Sequence, residues 1–284
     1  MKLDAATFLL QWATGGLFFG WVTTRRREVS LGYGWLIRIV FGIMAAGGAA
    51  VFFTGDLGAA RVIAAIAAIA TVAAALVALA VSVQRRGAGV VGREELRAAR
   101  RARVSAMIGR ADEESVARGP EFPPALDVVA PVLGAIGLLA AAQFAGGPYL
   151  LAAARLGVGA VFLGSVSDAM LLGHWYLTQP GLARDPLKEL VAWTAYSWPF
   201  EVAVFLWPTG MVQVINGGIA DGYHGVLGWI WIGCALLTIG LVGMTWAALR
   251  ERYYSAVMAA TGLLYLAILT AFGTDLVARA VLRP

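Results

Sequence analysis

Two carboxylates, Asp168 and Glu201, interrupt long apolar runs, FLGSVSDAML and YSWPFEVAVF. Placing an ionisable side chain in such surroundings costs about 2.5–3.5 kcal/mol on insertion scales, so its retention points to proton or cation chemistry or to a buried ion pair. On a helical wheel Ser165, Asp168 and Trp175 share one side of their run, and Thr194, Ser197 and Glu201 share one side of the next. Pro199 lacks the N–H that would bond the carbonyl of Ala195, which predicts a kink and a free acceptor beside Glu201. Two carboxylates brought together at low dielectric cannot both ionise cheaply, and at least one is expected to carry a proton.

Depth follows from counting. Asp168 lies ten residues before Thr178 and Glu201 eleven after Leu190. At about 1.5 Å per residue both fall roughly 15 Å from the same boundary of a core about 30 Å thick, so a hairpin would bring them to one level. Arg38, in the second apolar run, is the expected counter-ion for either acid. Arg155 is about 20 Å from Asp168 along the same helix and is expected to snorkel outward.

Gly173-His174-Trp175-Tyr176 closes the fifth run. Histidine and tyrosine at a membrane interface suit a quinone headgroup or proton uptake, and they also suit an aromatic belt. Other chemistries are excluded. A bis-histidine haem needs two histidines at one depth, whereas His174 and His224 fall at opposite interfaces; a retinal Schiff base needs an intramembrane lysine, and the lysines are Lys2 and Lys188. No HExxH or GxSxG motif occurs, the single Cys234 cannot form an internal disulfide or a cysteine cluster, and no metal site is expected.

These residues belong to a 284-residue chain that is 60% hydrophobic and only 14% charged, against about 25% charged in a soluble domain. The expected fold is all-α, a polytopic transmembrane bundle. Apolar runs of membrane-spanning length fall at about 5–24, 33–54, 62–83, 126–146, 150–177, 190–215, 225–249 and 254–275, eight spans in all. The organisation is thus spans one to three in 1–83, a basic segment in 84–125 and spans four to eight in 126–284. The basic segment is expected to hold a short amphipathic helix from Arg93 to Ile108, attracted to anionic headgroups.

Met1 to Thr24 reads as a retained first span, with Asp4 before it and Arg25-Arg26-Arg27 directly after. Basic residues crowd the connections at 25–27, 84–118, 184–188 and 250–252, whereas the alternate set carries Lys2, Arg61, Arg279 and Arg283. That asymmetry puts the first set in the cytoplasm and both termini outside, in the cell's inner membrane. It also makes lipid, rather than nucleic acid, the partner of the net charge of +5. Leu17–Thr23 resembles Val161–Ser167, and Trp35–Arg38 resembles Trp198–Glu201. Both suggest a weak parallel four-plus-four repeat of the kind some transporters have.

The leading functional expectation is a quinone- or proton-linked membrane subunit of a respiratory-type complex, without a cofactor of its own and associated with quinone and partner subunits. A small proton-coupled secondary transporter and a non-catalytic assembly or scaffold protein are the alternatives.

Overall fold

The structure is a computed structural model, and residues 4–55, 58–88, 120–179, 182–208, 210–251 and 253–282 are described. The helix expected from Arg93 to Ile108 lies outside them. The described residues are helical or in connections: α1 (Ala5–Thr24), α2 (Leu31–Phe52), α3 (Ala59–Gln84), α4 (Leu126–Ala141), α5 (Tyr149–Thr178), α6 (Asp185–Leu206), a short α7 (Gly210–Ile215), α8 (Val226–Ala248) and α9 (Tyr254–Val281). Five of them, α2, α3, α5, α8 and α9, are long and apolar enough to cross a membrane.

Burial runs opposite to that of a soluble protein. Ile43, Leu150 and Leu269 are 67%, 80% and 69% exposed, whereas Asp168, Glu201, Asp275 and Arg279 are at 0%. Such an apolar exterior is stable only against another apolar phase, and the chain is a multi-helix membrane protein.

Local chemistry sets the ends. Asp4 caps α1, accepting from the Thr7 amide at 3.2 Å and the Thr7 hydroxyl at 2.6 Å. The fourth run breaks at Ala141, because Gly146 and Gly147 take φ values of 87° and 81° and Pro148 starts α5. The sixth run, expected to continue to residue 215, stops at Leu206. Trp207 precedes Pro208 and is extended (φ −85°, ψ 145°), the conformation a following proline imposes. The next residues form α7. Asp221 then gathers the amides of Tyr223, Gly225 and Leu227 at 2.8, 2.9 and 2.9 Å and sets the start of α8.

Helices α1 to α4 close into a ring, α1 against α2, α2 against α3, α3 against α4 and α4 against α1. Helices α5, α6, α8 and α9 close in the same cyclic order. The two groups meet chiefly where α1 and α5 run parallel. A Cβ on Gly15 would overlap the Ala160 carbonyl and one on Gly164 the Gly15 backbone, so neither position admits a side chain without separating the helices.

One rim of the bundle, the basic rim, carries Arg25 and Arg26, both gripping Glu189 at 2.6 Å, and Arg27 on Glu121 at 3.0 Å. Each is an exposed pair of small individual worth, but together they tie the α1–α2 connection to α6 and to the segment before α4.

Gly164→Ala is expected to lower stability by about 1–3 kcal/mol through overpacking, whereas Gly240→Ala, where a Cβ meets nothing, should be neutral in the same thermal melt. A second expectation concerns Asp221. Backbone N–H groups, that of Gly225 foremost, hold its carboxylate below the usual aspartate range. Its contribution is therefore complete above the ordinary aspartate value and is lost as pH falls through the lowered one. Protection factors for hydrogen exchange at the Gly225 and Leu227 amides should fall over that acid range, and Asp221→Asn should show the low protection already at neutral pH.

Candidate functional site

The register of α5 against α6 settles how the two acids relate. Ser165 Oγ accepts from Thr194 Oγ1 at 3.0 Å, and Arg155 Nε donates to the Val204 carbonyl at 2.8 Å. In this antiparallel pair 165 lies level with 194 and 155 with 204, so Glu201 lies level with 158. Ten residues then separate it from Asp168, roughly 15 Å in depth. The expectation of equal depth is corrected. It was counted from Leu190, five residues inside the true start of α6 at Asp185, over a run that breaks at Pro208.

Asp168 faces α1 and α2. Helix α1 comes close at Gly20, where a Cβ would sit 4.0 Å from Asp168 Oδ2, and the Tyr33 hydroxyl of α2 donates to the Asp168 carbonyl oxygen at 3.3 Å. Thr23 lies beside that hydroxyl. The carboxyl group is fully buried, and among the described residues neither of its oxygens has a hydrogen-bond partner. Ser165 stands about 60° round the helix and bonds α6 instead. Along Phe162 to Ala169, where every residue of α5 is buried, that rotation is enough to change the facing neighbour. The stripe on α6 is internally bonded, the single Thr194 hydroxyl hydrogen being shared between Ser165 Oγ and the Leu190 carbonyl, each 3.0 Å away, and Ser197 Oγ donating to the Thr194 carbonyl.

Arg38 does not serve either acid. It pairs with Asp127 at the start of α4, Nε to Oδ1 at 2.7 Å and Nη2 to Oδ2 at 2.8 Å, with both side chains buried. Thr24 donates a further bond to Asp127 Oδ2 at 2.9 Å, and the Phe122 ring lies 4.5 Å from the guanidinium carbon. Asp127 was legible only as the first charge at the edge of a run. Its pairing needed α2 and α4 placed on either side of α1.

Arg155 does not snorkel. It is buried, donating to the carbonyls of Val204 and Trp207 at 2.8 and 3.0 Å, and so caps the C-terminal end of α6. Glu201 lies against Asp275 and Arg279 of α9. These two were missed because the eighth span was ended at Asp275. The four-residue spacing of Asp275 and Arg279 was the available signal, one turn of a helix that continues to Val281.

The interfacial trio diverges. His174 Nδ1 is 3.2 Å from the Tyr265 hydroxyl on α9, Trp175 Nε1 donates to Ser30 Oγ at 3.0 Å, and the Tyr176 hydroxyl donates to the Ala183 carbonyl at 2.6 Å. Three successive helical residues point about 100° apart, and here each secures a different element. Between α5 and α6 a lipid-facing apolar groove of about 220 Å³ is lined by Gly157, Val161, Trp193, Tyr196 and Phe200. Among the described residues no cluster of three or more His, Cys, Asp or Glu side chains could hold a metal ion. Comparison with family models, with curated proteins and with solved structures yields no match to this chain.

The Arg38–Asp127 pair has a direct test. Removing either partner alone leaves a buried unpaired charge, and Arg38→Ala or Asp127→Ala should each cost about 3–5 kcal/mol. Arg38→Met combined with Asp127→Leu should recover most of that loss in equilibrium unfolding.

Proposed function

We propose that this protein is a proton-coupled membrane transporter in which Asp168 carries the coupling proton. The reading rests on one observation, a fully buried carboxyl group with no hydrogen-bond partner at either oxygen among the described residues. An ionised carboxylate there would be uncompensated, so the neutral acid is the form the site tolerates, and its charge can appear only in a conformation that admits water. Tyr33 and Thr23 provide hydroxyls between this acid and the basic rim. The shared cyclic order of the two four-helix groups supports a duplicated bundle with parallel halves, an architecture transporters use. On this reading the basic rim faces the cytoplasm of the inner membrane.

One observation favours a second reading, a quinone-linked subunit of a respiratory-type complex. The groove between α5 and α6 has the aromatic walls and lateral opening that an isoprenoid tail requires. The histidine and tyrosine expected to hold a headgroup do not line it: His174 and Tyr176 bond elsewhere. The transporter reading is therefore preferred.

An apolar carbodiimide distinguishes these readings, since it modifies carboxyl groups that are protonated within the membrane. In native membrane vesicles the peptide that carries Asp168 should be modified in mass spectra, with that modification declining as pH rises and absent from the same peptide in Asp168→Asn. Absence of modification at every pH would overturn the proposal. Quinone co-purifying in equal amount with the protein would shift the assignment to the second reading.

A further inference from the structure

Towards the rim opposite the basic one, four helices assemble a second group of charges. Glu201 of α6, Asp275 and Arg279 of α9 and Gln11 of α1 are each fully buried. Arg279 Nε meets Asp275 Oδ2 at 2.6 Å, and Arg279 Nη2 donates to Gln11 Oε1. Gln11 in turn aims its amide Nε2 at Asp275 Oδ1, 3.5 Å away. The Phe8 ring covers the guanidinium, with its centroid 5.9 Å from Arg279 Cζ. On the α5 side the group requires Gly159, where a Cβ would overlap Gln11 Nε2 and approach Asp275 Oδ1 to 3.1 Å.

The charges in this group do not balance. Arg279 is matched by Asp275. Arg155, the cation contributed by α5, lies within electrostatic range of Arg279, but its guanidinium is bonded to the carbonyls of Val204 and Trp207, and the charges that act on Glu201 are those of Asp275 and Arg279. Helix α8 contributes no charged side chain; its Cys234 lies against Gly273. Glu201 is therefore a third charge beside a pair already neutral, next to a like-charged carboxylate, with neither of its oxygens in a regular hydrogen bond. A metal ion is poorly accommodated, because Arg279 already engages Asp275 and a second cation would lie against its guanidinium. A proton can restore neutrality.

We propose that Glu201, Asp275, Arg279 and Gln11 form a second proton-binding site, selective against metal cations, in which Glu201 holds the proton beside Asp275. On release, the Glu201 O–H bond breaks and the proton passes to water. The carboxylate then takes up Arg279 Nη1, which has no hydrogen-bond partner in the present arrangement. Arg279 thus exchanges one carboxylate for two, and α6 is drawn towards α9 when the proton leaves.

This site stands on its own geometry and is testable without Asp168. The experiment is infrared difference spectroscopy across pH on the full chain in lipid nanodiscs, in the Asp168→Asn background. One carboxylic-acid carbonyl band should titrate, and the isosteric Glu201→Gln should abolish it while keeping the melting temperature at neutral pH, since the amide carries the charge of the protonated acid. Asp275→Asn should keep the band and move its midpoint by about one pH unit, a tenfold change in proton affinity. Isotope-labelled glutamate should shift the same band, an assignment that does not depend on the folding of any Glu201 variant. Sodium or potassium should leave the titration unchanged. A spectrum without an acid band in the Asp168→Asn protein, or a band that glutamate labelling leaves in place, would overturn the proposal. Either result leaves the carbodiimide assignment of Asp168 unaffected.

Discussion

Everything in this molecule hangs on the approach of α1 to α5. Gly15 and Gly164 bring the two backbones into direct contact, and neither position has room for a Cβ. In lipid the exterior gains nothing from burying one apolar surface against another, so close packing and polar contacts must hold the helices together. The contact also places α1 where its side chains reach both groups of helices. Gln11 extends into the Glu201 group, Trp12 donates to Ser167 at 2.8 Å, and Thr24 bonds Asp127 at the other end. A shift of α1 would disturb all three.

The buried charges follow two distinct regimes. Arg38 and Asp127 are a closed unit in which a bidentate pair and a hydroxyl meet most of the donors and acceptors. A unit of that kind fixes helices but has no reason to change state. In the group around Asp275 two carboxylates share the one guanidinium bonded there, and among the described residues Asp168 has no countercharge bonded to it. Proton chemistry belongs where the balance is incomplete, which separates the working acids from Arg38, although the residue types alone made them look equivalent.

Much of the architecture was legible because apolar runs of membrane length are a local signal. The run at 5–24 coincides with α1, and the runs at 62–83 and 150–177 fall within one to three residues of α3 and α5. Depth and pairing were less legible, since both depend on contacts between segments far apart in sequence. Glu201 was placed by counting across a run that Pro208 divides. Asp127 and Asp275 fall at the edges of the apolar runs 126–146 and 254–275, where an acid carries no local sign of a partner. The likeness of Trp35–Arg38 to Trp198–Glu201 does not survive in depth. Arg38 is the eighth residue of α2 and Glu201 the seventeenth of α6.

The cap that Arg155 places on α6 has a mechanical consequence. Helix α6 is held to α5 at two points, the Thr194–Ser165 hydroxyl contact and the Arg155 bonds to Val204 and Trp207. Pro199, which weakens the helix by one backbone bond, lies between them. A rod clamped at both ends and softened in the middle bows there, and its ends stay in place. Glu201 sits two residues past the soft point, so the segment free to bow is the one that carries the acid.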